Sequence, residues 1–225
     1  MAKTLRRRGY HHGNLREALV AAARRLIAAR GPAGFTLSEA ARQAGVSAAA
    51  PYRHFADRDA LLAELARRGF AEFDRRLSAA WRGAGAGAAE RGAGRDAGAA
   101  FLRMGEAYLA FAREEPGYYA AMFAARPKGR RRQRAARSRQ AASRQTSFAA
   151  LERAVTQLAT GDLDPRQLAY LVWALSHGIA TLAAAGQLPS TARFRPEALL
   201  RDGVGALLAG AGCAPGPAPR PRRRR

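Results

Sequence analysis

Marked only as apolar or polar, the chain is a series of stripes at helical spacing. Leu15, Leu19, Ala22, Ala23, Leu26 and Ile27 recur three or four residues apart, which puts them on one side of a helix. Asn14-Leu15-Arg16-Glu17 reads as a capping box at its start, and Gly31-Pro32 stops it. Thr36-Leu37-Ser38-Glu39 is a second capping box, followed by a small-residue stripe of Ala40, Ala41 and Ala44. Gly45 ends this second helix in a tight turn. Ser47 is expected to cap a third helix over about residues 48–55, and Asp57 a long fourth one through Leu61, Leu62, Leu65, Phe70, Phe73 and Leu77 to Trp81.

Residues 83–98, GAGAGAAERGAGRDAG, read as a linker. Their spaced glycines follow no strand, so a nucleotide-binding loop is not expected. Beyond them, Phe101, Met104, Tyr108 and Phe111 share one helical side. Pro116-Gly117 breaks the chain before a short aromatic helix with Tyr118, Tyr119, Met122 and Phe123. Phe148, Leu151, Val155 and Leu158 mark another helix. Asp164-Pro165 opens one that runs to about Ala185, and Pro196 opens the last, through Leu200, Val204, Leu207 and Leu208. β-Branched residues are scarce, so the pattern predicts an all-α protein. Its 225 residues suit one or two domains.

Charge changes this picture through its placement. The formal net charge is +22. Nearly all basic residues are Arg, and Ala, Gly and Pro are abundant, a bias that resembles GC-rich coding as much as selection for basicity. Yet residues 1–56 carry ten Lys/Arg against two Asp/Glu, residues 57–125 carry ten of each, and residues 126–144 carry nine basic and no acidic residues. A further five Arg fall in the last six residues. A uniform bias would not confine the excess to three blocks, so part of it is a footprint for a polyanion. The block Arg126–Arg144 and the tail Arg220–Arg225 read as solvated segments, with added nucleic-acid contacts as the alternative.

Cys213 is the single cysteine, so no internal disulfide is possible and a reducing interior fits. The basic N-terminus has no apolar run behind it and does not read as a signal peptide. Gln167–Ala192 contains no Asp, Glu, Lys or Arg, but its polar residues and many alanines favour a helix buried on several sides over a membrane span. No paired carboxylates, metal-ligand cluster or nucleophile–base spacing stands out. No cofactor or metal is expected, and an enzyme is not the reading.

The stretch Gly45-Val46-Ser47-Ala48-Ala49-Ala50-Pro51-Tyr52-Arg53-His54-Phe55 carries the chemistry. Two short helices joined at Gly45, with another packed before them, form a helix-turn-helix arrangement. A helix that enters the major groove needs small side chains where its backbone nears the base edges, and Ala48 and Ala49 supply them, with methyls that can meet a thymine methyl. Pro51 costs little near a helix start. Ser47 and the amides near it can hold a phosphate. Tyr52 and His54 can hydrogen-bond phosphates, while Phe55 and Val46 anchor the helix to the core. The bland alternative is a helical hairpin with a Tyr and a His on its surface.

Residues 10–70 also resemble the DNA-binding domain of the tetracycline-repressor (TetR) family. The resemblance lies in the Phe-Thr-Leu capping box, Gly-Val-Ser, Tyr-Arg-His-Phe and Asp-Arg-Asp-Ala-Leu-Leu at the family's spacings. It implies base or phosphate contacts at Thr36, Ser38, Ser47, Ala48 and Ala49, and phosphate contacts at Tyr52, His54 and Arg58. Arg53 is left open between base and phosphate. Many relatives carry a polar residue at 48 or 49, so base specificity here falls to Arg53, Ser38 or the arm Arg6–Arg8 entering the minor groove.

In the helix Pro165–Ala185, Leu168, Leu171, Val172, Leu175, Ile179 and Leu182 form one stripe and Ala169, Trp173, His177, Ala180 and Ala184 an opposite one. A helix apolar on two sides must bury both. Trp173-x-x-x-His177-Gly178 resembles the C-terminal domain of the Trp-His-Gly subgroup of that family. The resemblance implies pairing of the last two helices with those of a second subunit, and a pocket between the aromatic helices and the Trp-His helix. Its candidate lining is Met104, Tyr108, Phe111, Tyr118, Tyr119, Met122, Phe123, Trp173 and His177. Taken singly, His177 reads as a satisfied buried histidine and the aromatics as core.

The expected organisation is a DNA-binding domain with a basic arm over 1–56, a connecting helix over 57–82, a linker over 83–98, a helical ligand-binding and dimerisation domain over 99–210 and a basic tail over 211–225. The expected function is that of a cytoplasmic, homodimeric, sequence-specific regulator of transcription. It would act as a repressor that leaves a near-palindromic double-stranded DNA operator when a small hydrophobic effector binds. The alternative is a constitutive or architectural DNA-binding dimer without a ligand.

Overall fold

The computed structural model describes residues 12–83, 93–124, 148–158 and 164–211, and every regular element among them is helical. In chain order these are α1 (His12–Arg30), α2 (Leu37–Gln43), a 3-10 turn (Ala50–Arg53), α3 (Arg58–Arg82), α4 (Ala93–Glu114) and α5 (Pro116–Ala124). Then come α6 (148–156), α7 (Pro165–Ala184), a second 3-10 turn (Ala192–Phe194) and α8 (Pro196–Gly210). The chain divides into two compact units, Met1–Gly69 with Glu115–Ala141, and Phe70–Glu114 with Ala142–Arg225.

In the first unit the predicted α1 stripe is the core. Leu19, Ala22, Ala23, Leu26 and Ile27 are buried against Phe35, Leu37, Ala40 and Ala41 from the α2 region and Leu61, Leu62 and Leu65 from α3. Thr36 caps α2 as expected. Its hydroxyl accepts from the Glu39 amide at 3.1 Å, and the Thr36 amide donates to Glu39 Oε2 at 2.8 Å. Asp57 caps α3 by accepting from the Ala60 amide at 2.7 Å. The first predicted cap is displaced. α1 is already helical at His12, so Asn14 lies inside its first turn; nothing in the two preceding residues bars one more helical step.

α5 belongs to this unit, although its position in the sequence groups it with the second half. It packs on α1. Gly117 explains how: a β-carbon there would lie 2.3 Å from the Arg24 carbonyl oxygen, so only glycine lets the two backbones approach so closely. Arg24 adds an ion pair to Glu115 at 2.9 Å and lies 5.1 Å from the Tyr118 ring centre. Periodicity along the chain cannot reveal that a helix returns to an earlier unit.

The same unit holds a charged hub. Glu64, with a side-chain exposure of only 9%, meets Arg16 at 2.9 Å, Arg67 at 2.9 Å and Arg68 at 2.8 Å. Burial by itself would raise its carboxyl, but hydrogen bonds from the three guanidiniums prevail and hold it at about 2.

The second unit contains the end of α3, α4, α6, α7 and α8. Residues 93–98, expected in the linker, are the first turns of α4; two glycines, at about 1 kcal/mol each, do not stop a long helix. The remaining linker residues 84–92, the block Arg126–Arg144, the arm Arg6–Arg8 and the tail from 212 lie outside the described residues. α8 fits α4 and α7 through close contacts: Leu200 lies against Gly105 and Leu175 against Gly203.

α7 buries Leu168, Ala169, Val172, Ser176, Ile179 and Ala180. This face draws on both predicted stripes, whereas Leu171 and Leu182 are 42% and 43% exposed. Apolar side chains surround most of the helix, so spacing alone could not choose the inward arc. α7 is long and apolar enough by composition to cross a membrane, and it packs on α4 and α8.

Replacing Glu64 by Gln is expected to lower stability at pH 7 by about 1–3 kcal/mol, because three guanidiniums lose their shared carboxylate. The depressed carboxyl stabilises fully above its ordinary value of 4.5 and loses that contribution as pH falls toward about 2. Urea unfolding of both proteins should therefore show a gap that narrows between pH 6 and pH 3; a constant gap would refute the ionic origin.

Candidate nucleic-acid interface

The exposed turn after α2 is built by its ends. Gly45 has φ +72°, a left-handed conformation in which a side chain is strained. Its amide donates to the Arg42 carbonyl at 3.1 Å, and the Val46 amide to the Ala41 carbonyl at 3.0 Å. This is a Schellman closure, which satisfies the last carbonyls of α2 and turns the chain outward. Val46 then packs on the core, and Pro51 and Phe55 are buried behind it.

The expected third helix is shorter and tighter than its pattern implied. Only Ala50–Arg53 is helical, as a 3-10 turn, and its cap position is Ala49, with no side-chain cap from Ser47. Proline is the reason. In an α-helix the amide of residue 51 would donate to the Ser47 carbonyl, and Pro51 has none. The Ala50 amide takes that carbonyl at 3.1 Å, Tyr52 donates to Ala49 at 3.3 Å and His54 to Pro51 at 2.9 Å, all with three-residue spacing.

Side-chain directions follow from the buried Pro51 and Phe55. Ser47, Ala48, Ala49 and Arg53 face outward, Tyr52 is 59% exposed and His54 is half-buried. The surface at the start of the turn is thus two methyl groups on exposed backbone, flanked by a hydroxyl, a phenol and a guanidinium. Such a surface lets a backbone lie close to base edges while longer donors reach phosphates.

α2 contributes beside it. Ser38 is exposed, while the Thr36 hydroxyl is engaged with Glu39, accepting from its amide and donating to Oε2 at 3.1 Å. Arg42, which the sequence reading passed over, is exposed one helical turn from Ser38, and that four-residue spacing was the available signal. Arg58 is used otherwise than expected. Its Nε donates to the Phe35 carbonyl at 3.0 Å, one Nη to the Pro32 carbonyl and the other to Asp59 at 3.0 Å. Its guanidinium also lies 4.8 Å from the Phe35 ring centre. It braces the α1–α2 connection against α3.

The residues expected around one pocket fall in both units. Tyr118, Tyr119, Met122 and Phe123 lie in the first. There Met122 meets Gly69, and Tyr119 stacks edge-on with Phe123 at 5.1 Å. In the second, Phe73 packs against Tyr108 at 5.1 Å and Phe111 at 5.2 Å. Tyr108 Oη lies 3.2 Å from His177 Nδ1, a hydrogen bond whose direction follows the imidazole tautomer. Burial pushes the His177 imidazole below its ordinary value, toward the neutral form. Trp173 packs against Phe148 at 5.6 Å.

A cavity of about 160 Å³ in the second unit takes only Met104 from that group; the rest of its wall includes Trp81 and Arg82 of α3 and Arg153 of α6. Residues 82 and 153 stand too far apart in sequence for local spacing to pair them. Among the described residues no His/Cys/Asp/Glu cluster could hold a metal ion.

Replacing Arg58 by Ala removes two carbonyl contacts and a ring contact. Expected is a loss of about 1–3 kcal/mol of stability, read by thermal unfolding, with little change in the salt dependence of DNA binding. A lost phosphate contact with unchanged stability would contradict the bracing role.

Two family models match the chain. Residues 19–65 match bacterial regulatory proteins of the tetR family, and residues 101–207 match a tetracyclin repressor-like C-terminal domain. A comparison with curated protein sequences gave no match. A solved protein of unknown function from Rhodococcus sp. RHA1 is 31% identical, with 91% of this chain and 99% of that one covered at a TM-score of 0.72. The fatty acid degradation regulator FadR from Bacillus halodurans has the same fold at 13% identity, covering 91% and 100% at a TM-score of 0.67. SmeT, the repressor of the Stenotrophomonas maltophilia multidrug efflux pump SmeDEF, solved also as a triclosan complex, shares the fold at 18% identity. The complex covers 94% of this chain and 100% of its own at a TM-score of 0.62. With its two halves matched as the two halves of one kind of regulator, the chain belongs to the TetR family of DNA-binding transcriptional regulators.

Proposed function

We propose that this regulator is a cytoplasmic homodimeric repressor that releases a near-palindromic operator when a small apolar effector binds its second unit. The outward pose of Ala48 and Ala49, held by buried Pro51 and Phe55, carries the DNA-binding part. In this reading the two methyls lie on the groove floor, Tyr52 and His54 hold phosphates, and Arg53, Ser38 and Arg42 supply base or phosphate contacts. Ser47 and Thr36 border the same surface. Arg58 supports it from within.

Dimerisation is assigned to the exposed arc of α7. Gln167, Leu171, Ala174, Gly178 and Leu182 follow one another along that arc, and a β-carbon at Gly178 would meet nothing within 4 Å. Small residues at the middle of such an arc allow a second helix to come close. The Trp173-x-x-x-His177-Gly178 motif supports placing the second unit in the Trp-His-Gly subgroup. Two copies would read half-sites about 34–36 Å apart, or a multiple of that.

Release is assigned to α3, one continuous helix from Arg58 beside the DNA-binding turn to Arg82 beside the cavity. An effector that prefers the DNA-free arrangement about 100-fold supplies about 2.7 kcal/mol of coupling. SmeT, a repressor also solved with triclosan, is the precedent for ligand and repression on this fold. An architectural role is not favoured.

Selection of bound duplexes from a random pool, with and without apolar compounds, tests the whole reading. It should return a near-palindrome, and one or more compounds should displace it; enrichment of no sequence would end the repressor assignment. Tyr52→Phe combined with His54→Ala should weaken binding to operator and random DNA by a similar factor, because phosphate contacts carry no base identity. Loss of discrimination at one operator base alone would reassign these side chains.

A further inference from the structure

The cavity between α3, α4 and α6 has a mixed wall. Leu77, Met104, Ala150 and Ala154 are its apolar lining, Ser78, Gln157, Arg82 and Arg153 its polar and charged lining, and Trp81 completes it. Leu77, Met104 and Ala154 are buried, while Arg82 and Arg153 are exposed, so the apolar part is the recess and the two guanidiniums stand at its mouth. Ala150, Arg153, Ala154 and Gln157 follow helical spacing along α6 and its end, which brings both kinds of lining to one edge.

The two cations find no side-chain partner among the described residues. Neither the Arg82 nor the Arg153 guanidinium makes an ion pair or hydrogen bond there, and no described carboxylate lines the cavity. By contrast Arg16, Arg67, Arg68, Arg75 and Arg76 are all paired with carboxylates. Two guanidiniums with no partner among the described residues, at the mouth of an apolar recess, are complementary to an anion that carries a hydrocarbon body. The recess, at about 160 Å³, is below the ~300–1,000 Å³ of sites that engulf drug-sized ligands. A short, slender chain suits it.

We infer that this cavity binds an amphipathic carboxylate, with its hydrocarbon chain against Leu77, Met104 and Ala154 and its head between Arg82 and Arg153. The inference rests on the ligand-released reading above and names the effector's chemical class. Ser78 and Gln157 are further donors for the carboxylate. The wall's α3 residues, Leu77 to Arg82, lie on the helix that begins beside the DNA-binding turn.

Calorimetry on the full chain, with octanoate, octan-1-ol and octylamine as probes, tests this. Octanoate should bind at least about tenfold more tightly than octan-1-ol, the effect of a charge-assisted pair, and octylamine more weakly than either. Arg82→Gln with Arg153→Gln should bring octanoate down to the level of the alcohol. Ala154→Phe should abolish binding of both, with thermal unfolding confirming that the variant is folded. Equal binding of acid and alcohol, a preference that survives the double Gln variant, or no binding of any probe would overturn the inference. Release of the selected operator is followed in parallel. Selective octanoate binding without release supports the site and ends the release reading. Release by an uncharged compound that the double Gln variant leaves unchanged supports that reading and overturns the site.

Discussion

The surface of the exposed turn after α2 depends on apolar anchors beneath it. Val46, Pro51 and Phe55 face the core, and their spacing leaves Ala48, Ala49, Tyr52 and Arg53 no inward direction. The closure at Gly45 sets the angle from which this turn departs. An alanine repays little when exposed, so an outward run of alanines is informative only because neighbouring side chains hold the backbone beneath it. Ordinary core burial thus produces a surface on which backbone, rather than long side chains, is presented to the outside.

Charge in this molecule works in two ways. Part of the arginine content is internal engineering: Glu64 gathers three guanidiniums and Arg58 joins the α1–α2 connection to α3. Such guanidiniums add to the net charge while being engaged by carboxylates or carbonyls of the protein itself. Arg42, Arg53, Arg82 and Arg153 face outward instead. Counting basic residues therefore overstates the interface, and only their partners sort one group from the other.

α5 gives the fold its least local feature. It follows α4 by a two-residue step and yet packs on α1, more than ninety residues earlier, through the close approach at Gly117 and the Arg24–Glu115 pair. Together with the unbroken α3, it means the chain passes between the two units more than once.

The sequence by itself determined the helical class, most helix positions, the Thr36, Asp57 and Asp164 caps, the Gly45 stop and the exposed alanines of the turn after α2. All of these rest on spacing within a few residues, where backbone geometry leaves little choice. Tertiary structure alone decided the inner role of Arg58, the return of α5 to α1, the buried arc of α7 and the meeting of Arg82 and Arg153 at one cavity. Each of those depends on groups distant in sequence or on which of several apolar faces finds a neighbour. Periodicity along one helix cannot encode that, because it records where apolar groups are and not what will cover them.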